Sequence, residues 1–264
     1  MNLTEAIKER HSTRNFAGQS LTDEQIKAIN DSISRAGSPF KGAFSIKLVT
    51  TDQDKDFHPS TYGVIKGARS FLLLGAEDSD FGYLSAGYAM EQVVLDVTAM
   101  GLDSCWVSGT FKESTFDRQA EFPEGQKLIA VVPIGVGAEK KHLVEKVLRS
   151  VAKCGTRKDF GTMFFMNDFS TPLPSDGQFA KPLEMMRWAP SAMNAQPWRA
   201  LVRGNQVDFY FAGKGRAPYL DMGIGLSHFA IGCADENVTG AFATNQLPVP
   251  APEGWTYLLS FIQA

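Results

Sequence analysis

Ala189-Pro190-Ser191-Ala192-Met193-Asn194-Ala195-Gln196-Pro197-Trp198 is the stretch on which the fold turns. Pro190 and Pro197 fix the chain at either end, and small residues between them let a flat ring approach the backbone. The carboxamides of Asn194 and Gln196 can each donate and accept hydrogen bonds. A lone asparagine in a loop more often closes an Asx turn on its own backbone. Two carboxamides in one proline-bounded loop point instead to a surface that reads the polar edge of a heterocycle. A short helical pattern precedes the loop and a strand around Leu201-Val202 follows it.

Outward from this loop, the same helix–loop–strand order has a faint counterpart 153 residues earlier. Ser34-Arg35-Ala36-Gly37-Ser38 through Leu48-Val49 lies over Arg187-Trp188-Ala189-Pro190-Ser191 through Leu201-Val202. A second pair of blocks runs from Leu84-Ser85-Ala86-Gly87 to Trp106 and from Leu220-Asp221-Met222-Gly223 to Phe242, offset by 136. Identities within the blocks are few, so the useful signal is an asymmetry. The earlier loop reads Ser38-Pro39-Phe40-Lys41-Gly42-Ala43 and has no carboxamide. Between Gly155 and Gln178 the sequence turns irregular, with Pro172, Pro174 and Asp176-Gly177 marking a connection. The expected units are therefore 1–160 and a shorter 161–264, joined in one intertwined globule.

The rest of the chain reads as a mixed α+β pattern. Leu3, Ala6 and Ile7 have helical spacing, and a polar stretch from His11 to Ser20 interrupts it. Thr22-Asp23-Glu24-Gln25 is a capping-box pattern that opens a helix with Ile26, Ile29 and Ile33 on one face. Strands are expected over 46–50 and 70–75. A long helix follows, with Ala86, Met90, Val93, Val97 and Met100 on its core face and Gly101 at its end. The run 128–136 is continuously apolar, as a strand buried on both faces would be.

A hydrophobic share of 44% over 264 residues supports one large core or two smaller ones. A formal charge of -3, from 26 basic and 29 acidic residues, offers nothing to a nucleic-acid backbone or an anionic membrane. Cys105, Cys154 and Cys233 lack metal or redox spacing and read as reduced packing thiols. The first ten residues carry Glu5, Lys8 and Glu9 and no signal-like apolar run, and no apolar stretch reaches the ~18 residues of a membrane span. A soluble, cytoplasmic protein is expected.

A second candidate site is Arg10-His11-Ser12-Thr13-Arg14, at the end of the first helix. Two guanidinium groups and two hydroxyls within five residues suit a phosphate, which wants several charge-assisted hydrogen bonds. Basic residues at a helix C-terminus also complement its dipole, so the motif alone decides nothing. Rival motifs fall short. Gly135-Val136-Gly137 follows a strand but has Lys140 where a dinucleotide fingerprint needs its third glycine, and Gly213-Lys214-Gly215 is not a phosphate loop. His58, His142 and His228 show no metal-ligand spacing, and His228 on an apolar helix reads as a satisfied core histidine.

With both motifs in hand, the chain resembles the flavin-dependent nitroreductases, which open with Arg-x-Ser-x-Arg/Lys and carry a Pro-Ser-x-x-Asn-x-Gln-Pro-Trp loop. The stretch from Ala99 through Trp106 to Val107-Ser108-Gly109 is similar to the segment that passes the reactive face of the flavin in that family. In common members the Asn loop lies shortly after the arginine motif and two subunits share each flavin. Here it stands in the second half, which resembles the fused subgroup, with Ser38 to Ala43 and Phe169 to Leu173 as decayed copies. The resemblance implies a pseudo-dimeric nitroreductase-like α+β fold holding one FMN. It also implies electron transfer from NADH or NADPH to a small acceptor such as a nitroaromatic or quinone. Arg10, His11 (through its backbone), Ser12 and Arg14 would hold phosphate, ribityl chain and the ring's N1/O2 edge. Arg157 and Lys158 would close over the phosphate. Pro190, Ser191, Ala192, Asn194 and Gln196 would frame the ring, and Ser108 and Gly109 would present N–H groups near N5, where the family often has Glu-Gly. Thr61-Tyr62-Gly63-Val64 lacks the polar residue the family places before the strand at 70–75. Arg14 would act electrostatically, and no residue need serve as acid or base. The same resemblance leaves room for a flavin-binding or sensing protein, or for dehalogenation, flavin fragmentation or azoline oxidation. It allows a monomer or a further homodimer, without metal.

Overall fold

The computed structural model describes residues 1–54, 56–138, 156–244 and 248–264; Lys140, His142 and Cys154 lie outside them. Helix α1 (Leu3–Glu9) starts where Asn2 accepts from the Glu5 N–H at 2.8 Å and Glu5 returns a carboxylate to the Asn2 N–H at 2.9 Å. Helix α2 (Asp23–Arg35) starts at the expected capping box, with Thr22 and Gln25 bonded reciprocally. Strands β1 (Phe44–Thr50) and β2 (Ser70–Glu77) lead into α3 (Asp80–Ala99), β3 (Asp103–Ser104) and β4 (Gln126–Gly135). These four strands form an antiparallel sheet in the order β1-β2-β4-β3.

The second part of the chain builds a six-stranded sheet, ordered β6-β5-β7-β8-β10-β9. Its strands are β5 (Phe164–Met166), β6 (Asp168–Pro172), β7 (Trp198–Arg203), β8 (Gln206–Ala212), β9 (Gly240–Ala243) and β10 (Trp255–Gln263). Two further α-helices among the described residues are α4 (Ala180–Trp188) and α5 (Ala217–Asp235). Residue 155 lies outside the described residues, and 156–178 holds two strands where an irregular connection is expected. Three- and five-residue strands are too short to show a period, and Asp168 masks the second by taking the N–H groups of Ser170 and Thr171. Phe169 to Leu173, expected as a worn loop, runs through β6, and β5 pairs with β7 in parallel.

Helices α3 and α5 are mostly apolar and mostly buried, with the partly exposed Gln92 and Asp96 of α3 turned toward the end of α2. One face of α3 joins β2, β4 and α2 in a core containing Leu72, Met90, Val93 and Ile134. Helix α5 joins the second sheet and α4 around Trp198, Phe209 and Phe229. Each of these side chains contributes about 1.5–3 kcal/mol by leaving water. The two helices meet at glycines. A Cβ on Gly87 would collide with the Leu220 carbonyl oxygen, and one on Gly223 with the Leu84 carbonyl oxygen. Those two contacts exchange under the 136-residue offset, as contacts across a two-fold axis do.

Candidate functional site

The arginine motif leaves α1 at Arg10 and runs as an extended ribbon pinned from both sides. Ser12 bridges to Ser104 of β3, and Thr13 N–H donates to the Ser104 carbonyl at 2.9 Å. Lys66 N–H donates to the Arg14 carbonyl at 2.9 Å, and Phe16 N–H to the Lys66 carbonyl at 2.8 Å. This fixed backbone holds Arg10 at 8% exposure, and its Nε and Nη1 find no acceptor. Arg14 Nη1 is likewise buried without a partner. A desolvated guanidinium with unused donors costs free energy until an anion meets it, so this is where an anionic group belongs. His11 is exposed and turns outward, with Nδ1 3.1 Å from the Glu9 carbonyl and Nε2 3.7 Å from Asp103.

The Asn loop holds Met193, Asn194 and Gln196 in left-handed conformations, with φ of 50°, 55° and 47°. Such backbone persists only where surroundings enforce it. Ser191 Oγ accepts from the Gln196 N–H at 2.9 Å, and Asp221 of α5 accepts from the Ala192 N–H at 3.0 and 3.2 Å. Asp221 is 5% exposed, and burial pushes its carboxyl up to about 7, against the pull of the Ala192 N–H. Pro190 is half-buried where the loop leaves α4.

The structure joins this loop to Arg157 and Lys158. Gln196, 3% exposed, accepts from the Lys158 N–H at 2.8 Å and donates to Asn194 Oδ1 at 3.2 Å. Asn194 Nδ2 donates to the Thr156 carbonyl at 3.1 Å, and the Lys158 ammonium to the Ala195 carbonyl at 2.6 Å. Burial, then the nearby Arg199 charge, lowers the Lys158 ammonium below its usual range. Gln196 thus shapes the loop from beneath, where the sequence expects it to frame a ring. The Arg157 guanidinium lies 5.5 Å over Trp188 and donates to the Trp188 carbonyl at 2.9 Å. Trp188 in turn packs in the cluster that contains Ala6 and Ile7 of α1, and α1 ends one residue before Arg10. The second-half loop and the first-half arginine motif are therefore braced through one tryptophan.

Ser108 and Gly109 are exposed, just beyond Val107, which pairs with Val131. Behind them runs a polar chain that motif reading misses. Trp106 Nε1 donates to Glu91 Oε2 at 2.7 Å, and Glu91 Oε1 lies 2.8 Å from His228 Nε2, both residues being fully buried. His228 Nδ1, 3.1 Å from the Met185 carbonyl, must carry a proton because a carbonyl only accepts. Ionisable residues set within the apolar stretches of α3 and α5 are the sequence signal for this pair and for Asp221. Cys105 and Cys233 are buried packing residues, as expected. Among the described residues no group of three or more His, Cys, Asp or Glu could hold a metal ion, and no helix is long and apolar enough to cross a membrane.

A family model described as "Putative TM nitroreductase" matches residues 2–233. A solved structure from Thermotoga maritima, titled a "putative nitroreductase", shares 20% identity and a TM-score of 0.64, over 99% of this chain and 94% of its own. A nitroreductase family protein from Clostridium novyi NT (21% identity, TM-score 0.43) covers 54% of this chain and 89% of its own. A nitroreductase with bound FMN from Desulfitobacterium hafniense DCB-2 (18%, TM-score 0.44) covers 53% and 92%. No curated protein matches the sequence.

Proposed function

We propose, from the premise that this chain belongs to the TM nitroreductase family, that it binds one FMN and moves electrons from NADH or NADPH to a small acceptor such as a nitroaromatic or quinone. The observation that carries the reading is Arg10: a guanidinium 8% exposed, with two donors unused, at the exit of a helix. A phosphate ester supplies the charge and the acceptor geometry that those donors lack.

Bound FMN would supply the chemistry, taking two electrons from the nicotinamide and passing them on. The chain's own residues do the rest. Arg10 and Ser12 hold the phosphate end, with the fixed 12–14 backbone setting its place against β3. Arg14 supplies positive charge to the ring's N1/O2 edge and so favours negative charge there, which is electrostatic catalysis without proton transfer. Pro190, Ser191, Ala192 and Asn194 offer a rigid, small-residue wall, held in its strained form by Asp221 and Gln196. Arg157 and Lys158 fix that wall relative to α1. Ser108 and Gly109 lie at an open edge where an acceptor could enter.

The test is cofactor content and its phosphate dependence. Purified protein should be yellow with close to one FMN per chain. Arg10→Ala should weaken FMN binding by roughly 1.5–3 kcal/mol, about tenfold to a hundredfold, while leaving riboflavin binding nearly unchanged. A colourless protein that ignores added FMN, two FMN per chain, or equal losses for both ligands would each defeat the proposal.

A further inference from the structure

We propose that the groove between residues 39–41 and 242–243 is a second ligand site, built for a flat heteroaromatic ring that carries no phosphate. The groove has a volume of about 510 Å³ and is lined by Pro39, Phe40, Lys41, Phe81, Phe242 and Ala243, among others. Its place in the fold is the first argument. The loop 38–43 stands 153 residues before the Asn loop, and Phe242 stands 136 residues after Trp106. A loop from the first half and a post-helix segment from the second thus meet here, and their counterparts under the two offsets are the Asn loop and the segment that begins at Trp106. The supports match as well. Ser85 Oγ accepts from the Gly42 N–H at 3.1 Å, and Asp221, 136 residues further on, accepts from an N–H of the other loop, that of Ala192, three positions before the counterpart of Gly42. Together with the exchanged Gly87 and Gly223 contacts, this makes the groove the two-fold counterpart of the candidate cofactor site.

Its chemistry differs from that counterpart in a way that names the ligand. The walls are aromatic and stiff: Phe40 stands edge-on to Tyr88 at 5.5 Å and tilted on Phe242 at 5.4 Å. Phe81, 45% exposed, forms an outer lip, and an exposed large ring beside a groove marks a surface meant to be covered. Aromatic rings stack or meet edge-on with such walls. Among the described residues no arginine lines the groove, and the Glu77 carboxylate in its wall, held by a hydrogen bond from Ser79, offsets the one positive charge, Lys41, that a phosphate dianion could use. Lys41 takes the position that Asn194 holds in the other half, leaving one donor for a ring carbonyl. The site therefore suits the ring of a flavin-sized heterocycle and rejects its phosphate.

The choice of a flavin-sized ring rests on the proposed FMN site of which this groove is the counterpart, and the experiment separates the two. Protein saturated with FMN is dialysed to equilibrium against lumichrome, a flavin ring with neither ribityl chain nor phosphate. One equivalent of lumichrome per chain should be retained with FMN still bound. Ala243→Trp, a change at an exposed position that fills the groove, should weaken lumichrome about tenfold or more and leave FMN content unchanged. Arg10→Ala should leave lumichrome binding as it was. No retained equivalent on the wild type, retention unaffected by Ala243→Trp, or lumichrome displaced by FMN would each overturn the proposal. If the chain takes up no FMN at all, dialysis against lumichrome alone, with the same Ala243→Trp comparison, still upholds or overturns the groove as a ring site.

Discussion

Asp221 is a carboxyl at 5% exposure whose partner is the Ala192 N–H of the strained Asn loop. Burial raises its folded-state value to about 7 from an ordinary 3.8. Between those values the folded chain holds a proton that the unfolded chain has lost, so stability falls as pH rises through that window, and the penalty is complete above about 7. Asp221→Asn keeps an oxygen acceptor for Ala192 and removes the titration. Its stability relative to wild type should therefore improve between about pH 4 and 7, by up to about 4 kcal/mol, in urea denaturation at several pH values. A wild-type-to-variant difference that stays flat with pH would show that Asp221 does not titrate there. The same residue shows what motif reading captures. The carboxamides of Asn194 and Gln196 announce a special loop, but a linear sequence carries no sign that Gln196 faces Lys158. Asp221 stands 27 positions after Asn194, beyond any local pattern.

At the scale of elements, the α3–α5 crossing sets the spacing of everything beside it. Alanine favours a helix over glycine by about 1 kcal/mol. At Gly87 and Gly223 that gain is opposed by a methyl group driven into a backbone carbonyl of the facing helix, which side-chain motion cannot relieve. Overpacking of this kind costs about 1–3 kcal/mol or more, so Gly87→Ala and Gly223→Ala should each lower the melting temperature by several degrees, about 2–4 °C per kcal/mol lost. An unchanged or higher melting temperature would mean that the helices separate without cost. The elements with long periods or paired caps are legible in sequence: α2 from Thr22 and Gln25, α3 from its apolar stripe and Gly101, β4 from its apolar run. Strands β5 and β6 are not, because β5 is only three residues long and β6, its antiparallel neighbour, carries Phe169 as its one aromatic or aliphatic side chain before Pro172.

For the molecule as a whole, the decisive question is whether Arg10 and Asn194 serve one site within one chain. Arg10→Ala and Asn194→Ala, unfolded together and refolded, should regain no FMN binding, because no mixture of the two reunites both residues in a single polypeptide. Recovery in the mixture would place the site between chains. The braced path from Arg10 through α1 and Trp188 to Arg157 and the Asn loop supports the single-chain arrangement. The buried Glu91–His228 pair bears on how such an arrangement persists. Under the 136-residue offset, His228 corresponds to Gln92 and Glu91 to Ser227. Two copies of the first half meeting about the same axis would bury both glutamates against glutamine, and two second halves would bury both histidines against serine. A buried polar group that loses its matched partner is penalised by about 1–3 kcal/mol. If the gene were cut between the halves, the two products would therefore be expected to favour each other over a second copy of themselves.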